Sequence, residues 1–101
     1  MLDKELLLKL NKEQKYDEIW NEFVKEYKRI LTDFFIKKDV IKEDKYSFLE
    51  LLNRLKNFEN GKYDEVYYTL SEMYHNEGMK YSQILNEAID NYKIIKEKLA
   101  S

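Results

Sequence analysis

Apolar residues recur along this chain at steps of three and four. Five stretches keep that rhythm long enough to predict helices. The first covers roughly 2–10, with Leu2, Leu6, Leu7 and Leu10 along one side. A helix this short is marginal in water, so it must dock. The second, over Tyr16–Lys37, carries the clearest pattern. Tyr16, Trp20, Phe23, Tyr27, Ile30 and Phe34 alternate steps of four and three, and Val24, Leu31 and Phe35 widen the stripe to core width. Asp17 and Glu18 near its start and Lys37 and Lys38 near its end complement the helix dipole.

Residues 39–45 read as a linker. Ser47 followed by Glu50 forms a capping box in front of Phe48, Leu51, Leu52 and Leu55, and Asn60-Gly61 supplies a left-handed stop. The fourth helix is expected over 63–75, with Val66, Tyr67, Leu70, Met73 and Tyr74 inward, and is ended by Asn76-Glu77-Gly78. The fifth is expected over 81–99, where Tyr81, Leu85, Ala88, Tyr92, Ile95 and Leu99 again step by four and three. Ser82 or the turn before it serves as cap. No segment keeps β alternation. The pattern predicts a single all-α domain over 1–101, an up-and-down bundle of four to five helices. Two of them are long and antiparallel, the Trp20 helix hiding its apolar side against the Tyr92 helix.

Composition narrows the chemistry. The 101 residues include no Cys, no Pro and two Gly. That removes disulfides, thiolate metal sites and cysteine nucleophiles, and argues against a turn-rich β fold. No fully apolar run exceeds three residues, so neither a membrane span nor a signal peptide is expected, and the location expected is cytoplasmic. Eighteen Lys and Arg against twenty Asp and Glu leave a net charge of −2. Nucleic acid stays open as a partner without support from that charge. Only Arg29 and Arg54 offer the planar fork that reads phosphate or carboxylate. The basic spots at Lys37-Lys38 and at Lys93, Lys96 and Lys98 are interleaved with acids and read as solvated helix surface.

Lys15-Tyr16-Asp17-Glu18 recurs as Lys62-Tyr63-Asp64-Glu65, 47 positions on. Two stacked hairpins would produce such a period. A shared helix-opening preference, in which Tyr packs back and the acid caps, accounts for it more simply.

His75 is the only histidine. Ser47, Ser71, Ser82 and Ser101 are present, but none sits in a nucleophile elbow. Glu72 and His75 have the Glu-x-x-His spacing of a carboxylate-bridged metal bundle, which requires two such motifs, and a second His is lacking. No glycine-rich phosphate loop occurs. No cofactor or metal is therefore expected, and His75 is the weak candidate for a catalytic group. Nine Tyr and one Trp are the unusual feature. Tyr and Trp are enriched at interfaces. Tyr46, Tyr63, Tyr68 and Tyr81, near helix starts or on a flank, are interface candidates. So is Phe35, since Phe34-Phe35-Ile36 cannot all face one core; one of the three must be covered by the linker or a partner. A Tyr-rich core is the competing account.

The helix order over 16–99, and the local pattern Leu70-Ser71-Glu72-Met73-Tyr74-His75-Asn76-Glu77-Gly78-Met79-Lys80-Tyr81-Ser82, resembles a HEPN-type helical domain. The resemblance implies a dimeric, metal-independent ribonuclease with His75 at the family's His position. The Arg it requires at 68–70 is replaced by Tyr68, Thr69 and Leu70. Members without that Arg act as binding or dimerisation modules in phage-defence and toxin–antitoxin settings. Size, helix count and Leu52-Asn53-Arg54-Leu55-Lys56-Asn57-Phe58 resemble, more distantly, the helical immunity proteins of bacteriocin producers. The expectation is a non-enzymatic protein-interaction module that self-associates or binds a protein partner. A HEPN-like ribonuclease or RNA-binding subunit centred on His75, and an immunity or inhibitor protein occluding a toxin or nuclease, are the alternatives.

Overall fold

The computed structural model describes residues 2–75 and 85–100. They form five α-helices and, among the described residues, no strand: α1 (Lys4–Lys12), α2 (Tyr16–Lys37), α3 (Phe48–Leu55), α4 (Asp64–His75) and α5 (Leu85–Ala100). A 3-10 turn, Phe58–Gly61, joins α3 to α4. The expected stop at 76–78, the Ser82 cap and Tyr81 lie outside the described residues.

The architecture is the all-α bundle that the spacing predicts, arranged around α2. That helix packs against α1, α3 and α5, and α3 in turn packs against α4. Trp20 and Tyr92 are both buried, but each has its own aromatic partner. Trp20 meets Tyr74 at 5.7 Å between centroids, and Tyr92 meets Tyr27 edge-on at 5.7 Å. Burial of Ile19, Phe23, Tyr27, Leu31 and Phe35 down to about one per cent exposure or less places the core along α2.

Helix ends follow local chemistry. At α3 both halves of the capping box are present: the Glu50 N–H donates to Ser47 Oγ at 3.2 Å, and the Ser47 N–H donates to Glu50 Oε1 at 3.3 Å. Asp3 caps α1 by accepting from the Leu6 N–H. At the other end of α1, the Gln14 N–H donates to the Asn11 carbonyl and the Lys15 N–H to the Leu10 carbonyl. At α2 the Asp39 N–H donates to Ile36 and the Val40 N–H to Phe35. Both are Schellman endings, which need a left-handed residue. Gln14 (φ 60°) and Asp39 (φ 63°) fill those positions without glycine.

The third helix is shorter than the sequence predicts. It ends at Leu55, not at Asn60-Gly61. Asn57 turns left-handed at φ 61°, and its N–H donates to Asp64 Oδ1 at 2.7 Å. The turn lets the Phe58 ring meet Phe34 and Phe35 at 5.8 and 5.3 Å. Gly61 is required twice over: its φ is +85°, and a Cβ there would come within 3.0 Å of Asp64 Oδ2.

The 47-residue echo resolves as two helix openings. Tyr16 begins α2, and Tyr63 immediately precedes α4, its carbonyl accepting from the Tyr67 N–H at 3.0 Å. The two tyrosines differ in surroundings, Tyr16 being half-buried and Tyr63 buried.

Two stability contrasts follow. Phe35→Ala empties a filled core site and is expected to cost about 3–5 kcal/mol in chemical denaturation, whereas Ile36→Ala next to it, 43% exposed, stays within about 0.5 kcal/mol. Gln14→Gly relieves a left-handed side chain at the cost of unfolded-state entropy, and is expected to raise stability by about 0.5–1 kcal/mol in the same measurement.

Candidate functional site

The predicted interface residues fall into different places. Phe35 is fully buried, and Tyr63 is 3% exposed. Neither is available for docking. The Phe35 ring packs against Phe34 and Phe58, and the linker folds back onto its backbone, the Val40 and Ile41 N–H groups both donating to the Phe35 carbonyl. Tyr63 belongs to an aromatic knot at the end of α2, with Phe34 at 4.9 Å and Phe58 at 6.2 Å. Lys38 closes over this knot, 5.8 Å from both the Phe34 and Tyr63 rings, and its ammonium bonds both carboxylate oxygens of Glu59. Half of the Lys37-Lys38 spot is therefore internally paired. Lys98 likewise meets Glu65 at 3.0 Å.

Most of the tyrosine excess is structural. Tyr27, Tyr63 and Tyr92 are buried, and Tyr16, Tyr46, Tyr67 and Tyr74 are half-buried. Tyr74 bridges three helices, stacking on Phe48 at 5.8 Å as well as meeting Trp20. Tyr68 alone among the described tyrosines stands out in solvent, 62% exposed, with its ring edge-on to Tyr67.

His75 ends α4 and is exposed. Its ring contact is with Tyr74 at 6.1 Å. Among the described residues no hydrogen bond or ion pair engages it. The positions one to two turns before it are committed elsewhere: the Thr69 hydroxyl donates to the Glu65 carbonyl, and Leu70 is fully buried. Among the described residues no group of three or more His, Asp or Glu side chains is placed to hold a metal ion.

Sequence spacing did not reveal a buried carboxylate. Glu26 lies on the apolar stripe of α2 at 7% exposure. The Tyr92 hydroxyl donates to its Oε1 at 2.8 Å, and Arg29 forks onto it, with Nε at 3.2 Å from Oε2 and Nη2 on Oε1. Burial pushes the Glu26 carboxyl up, but the hydrogen bonds from Arg29 and Tyr92 outweigh it and bring it from 4.5 down to about 2. It is ionised at any physiological pH and is no proton donor. Burial, reinforced by the bond to Glu26, pushes the Tyr92 hydroxyl up. An open groove runs beside this network, lined by Glu22, Lys25, Arg29, Thr32 and Asp33. Its charges interleave and pair, as Arg29 does with Asp33.

The outer face of α3 differs. Phe48, Leu51, Leu52 and Leu55 are buried, while Leu49, Glu50, Asn53 and Arg54 face solvent. The Arg54 guanidinium carbon lies 4.6 Å above the centre of the half-buried Tyr46 ring, and Lys45 Nζ lies 5.8 Å from the same centre. Leu49, also on the outer side of α3, is 43% exposed. Of the residues proposed from sequence, Tyr46 is thus the one built into a prepared surface. Arg54 and Leu49 were missed. The signal was present in the Glu50–Arg54 spacing, which normally predicts an ion pair on the helix. The capping role of Glu50 leaves that pair unmade.

The linkage sign of Glu26 yields a prediction. Its folded value lies below the unfolded one, so its contribution is complete above pH 4.5 and is lost as pH falls toward 2. Glu26→Gln is expected to cost about 1–2 kcal/mol at pH 7, discounted because Arg29 is half in solvent. It should also flatten the stability curve between pH 2 and 4.5, read by urea denaturation across that range.

The chain matches no family model, no curated protein and no solved structure, which leaves its own surface as the guide to what it does.

Proposed function

We propose that this chain is a non-enzymatic protein-interaction module that docks a partner on the outer face of α3. The supporting observation is the grouping of Arg54 and Lys45 on the Tyr46 ring, with Leu49 exposed on the same helix. Tyr and Arg dominate the energetics of protein interfaces because each brings a large contact area and directional donors. The exposed Leu49 on the same helix supplies the apolar part. Exposed apolar residues elsewhere, such as Leu8 and Val40, lack a comparable Tyr–Arg pair.

The bundle suits this role. The opposite side of α3 is anchored by four buried side chains, and a capping box holds its start, so the docking face is presented on a rigid element. The partner is a second protein, in a defence or toxin–antitoxin setting if the HEPN-like helix order reflects descent.

A photoreactive amino acid placed at position 49 in the native cell is expected to give a discrete adduct with another protein. The same group at Leu8, 45% exposed on α1, is the control and should give none. No adduct from position 49, or the same adducts from both positions, rejects the reading. A second copy of this chain in the adduct identifies self-association, which sedimentation then quantifies.

A further inference from the structure

If the α3 face docks a protein, as proposed above, the charges on it say what kind. We infer that Arg54 and Lys45, gathered on the Tyr46 ring, capture a carboxylate of an acidic segment on the partner.

The argument starts from what Arg54 does not do. A guanidinium carries five N–H donors in a planar fork. Among the described residues, none of those on Arg54 meets an acceptor, and no carboxylate lies within ion-pair distance. The other arginine, Arg29, shows the contrast, being bonded to both Glu26 and Asp33. Most lysines among the described residues also lack an ion pair, so what distinguishes Arg54 is its seat on the Tyr46 ring. A local cause is visible. Glu50, one turn before Arg54, turns back to the Ser47 N–H to complete the capping box. Its carboxylate is held at the start of the helix, and Arg54 is released onto Tyr46.

The second cation strengthens the case. Lys45 shares the same ring and is likewise without an ion pair among the described residues. Two positive charges without ion pairs gather around one aromatic ring, in a protein whose net charge is negative. The ring holds the guanidinium plane, so less side-chain freedom is lost when an acid arrives. A carboxylate accepts two parallel N–H bonds from such a fork. Leu49, exposed on the same helix, is left to meet an apolar residue farther along that segment. A nucleic-acid strand fits less well. It needs a track of cations, whereas this face offers two and carries Glu50 among them.

The test is an NMR titration of the full-length, nitrogen-15-labelled chain at low salt. The probes are a blocked peptide of alternating Glu and Leu, its Gln–Leu counterpart, and a single-stranded RNA of equal charge. The Arg54 side-chain and Tyr46 backbone signals are expected to move with the Glu peptide and not with the Gln peptide. Arg54→Gln, with its spectrum otherwise preserved, should weaken that binding by about tenfold or more, and Arg54→Lys by less. The inference is overturned by equal response to both peptides, by no response, by unchanged binding in Arg54→Gln, or by tighter binding of the RNA. Cross-linking at position 49 without a response to the Glu peptide removes carboxylate capture alone. Absence of both removes the docking face as well.

Discussion

The width of the apolar stripe on α2 governs the rest of the structure. Ile19, Trp20, Phe23, Tyr27, Ile30, Leu31, Phe34 and Phe35 cannot all be covered by one neighbouring helix, because they form a broad band, an arc of roughly 160°, along the full length of α2. Three helices pack on it, and the loop after it folds back to bond the Phe35 carbonyl and bury Ile41. Each aromatic contact between elements answers one sector of that surface. Tyr74 covers Trp20, Tyr92 covers Tyr27, and Phe58 with Tyr63 covers the Phe34–Phe35 end.

A charged residue inside this stripe adds directionality to an otherwise greasy contact. Dispersion and burial tolerate small rotations of α5 over α2, whereas the Tyr92 hydroxyl has one acceptor to find. The network is complete enough to keep Glu26 ionised despite burial, since Arg29 reaches it from the solvent side. A half-satisfied version would cost more than an apolar substitute, which is why the three groups stand or fall together.

The surface is sorted by the same economy of pairing. Lys38, Lys98, Lys28 and Arg29 each meet a carboxylate, which spends their charge within the molecule. Arg54 and Lys45, like most of the remaining described lysines, do not, and these two share the Tyr46 ring. Their positions follow from a capping interaction that serves helix α3 and, as a consequence, withdraws the acid that would have neutralised the arginine. A folding device and a binding surface thus share one glutamate, so changes at Glu50 act on both.

The sequence by itself determined the helices, because the steps of three and four, the Ser47–Glu50 box and the charges at helix ends are local. Tyr16–Lys37 is bounded in the structure as its spacing predicts. The same local logic separated Phe34, Phe35 and Ile36 into positions of different fate without saying which one would be left outside. The tertiary structure decided that Ile36 is the exposed one, that Tyr63 turns inward, that α3 stops at Leu55, and that Glu26 finds Tyr92 across 66 residues of chain. Spacing records which residues share a helix face. How many faces are covered, and which polar groups meet there, depends on neighbours distant in sequence, and only the packed molecule brings those together.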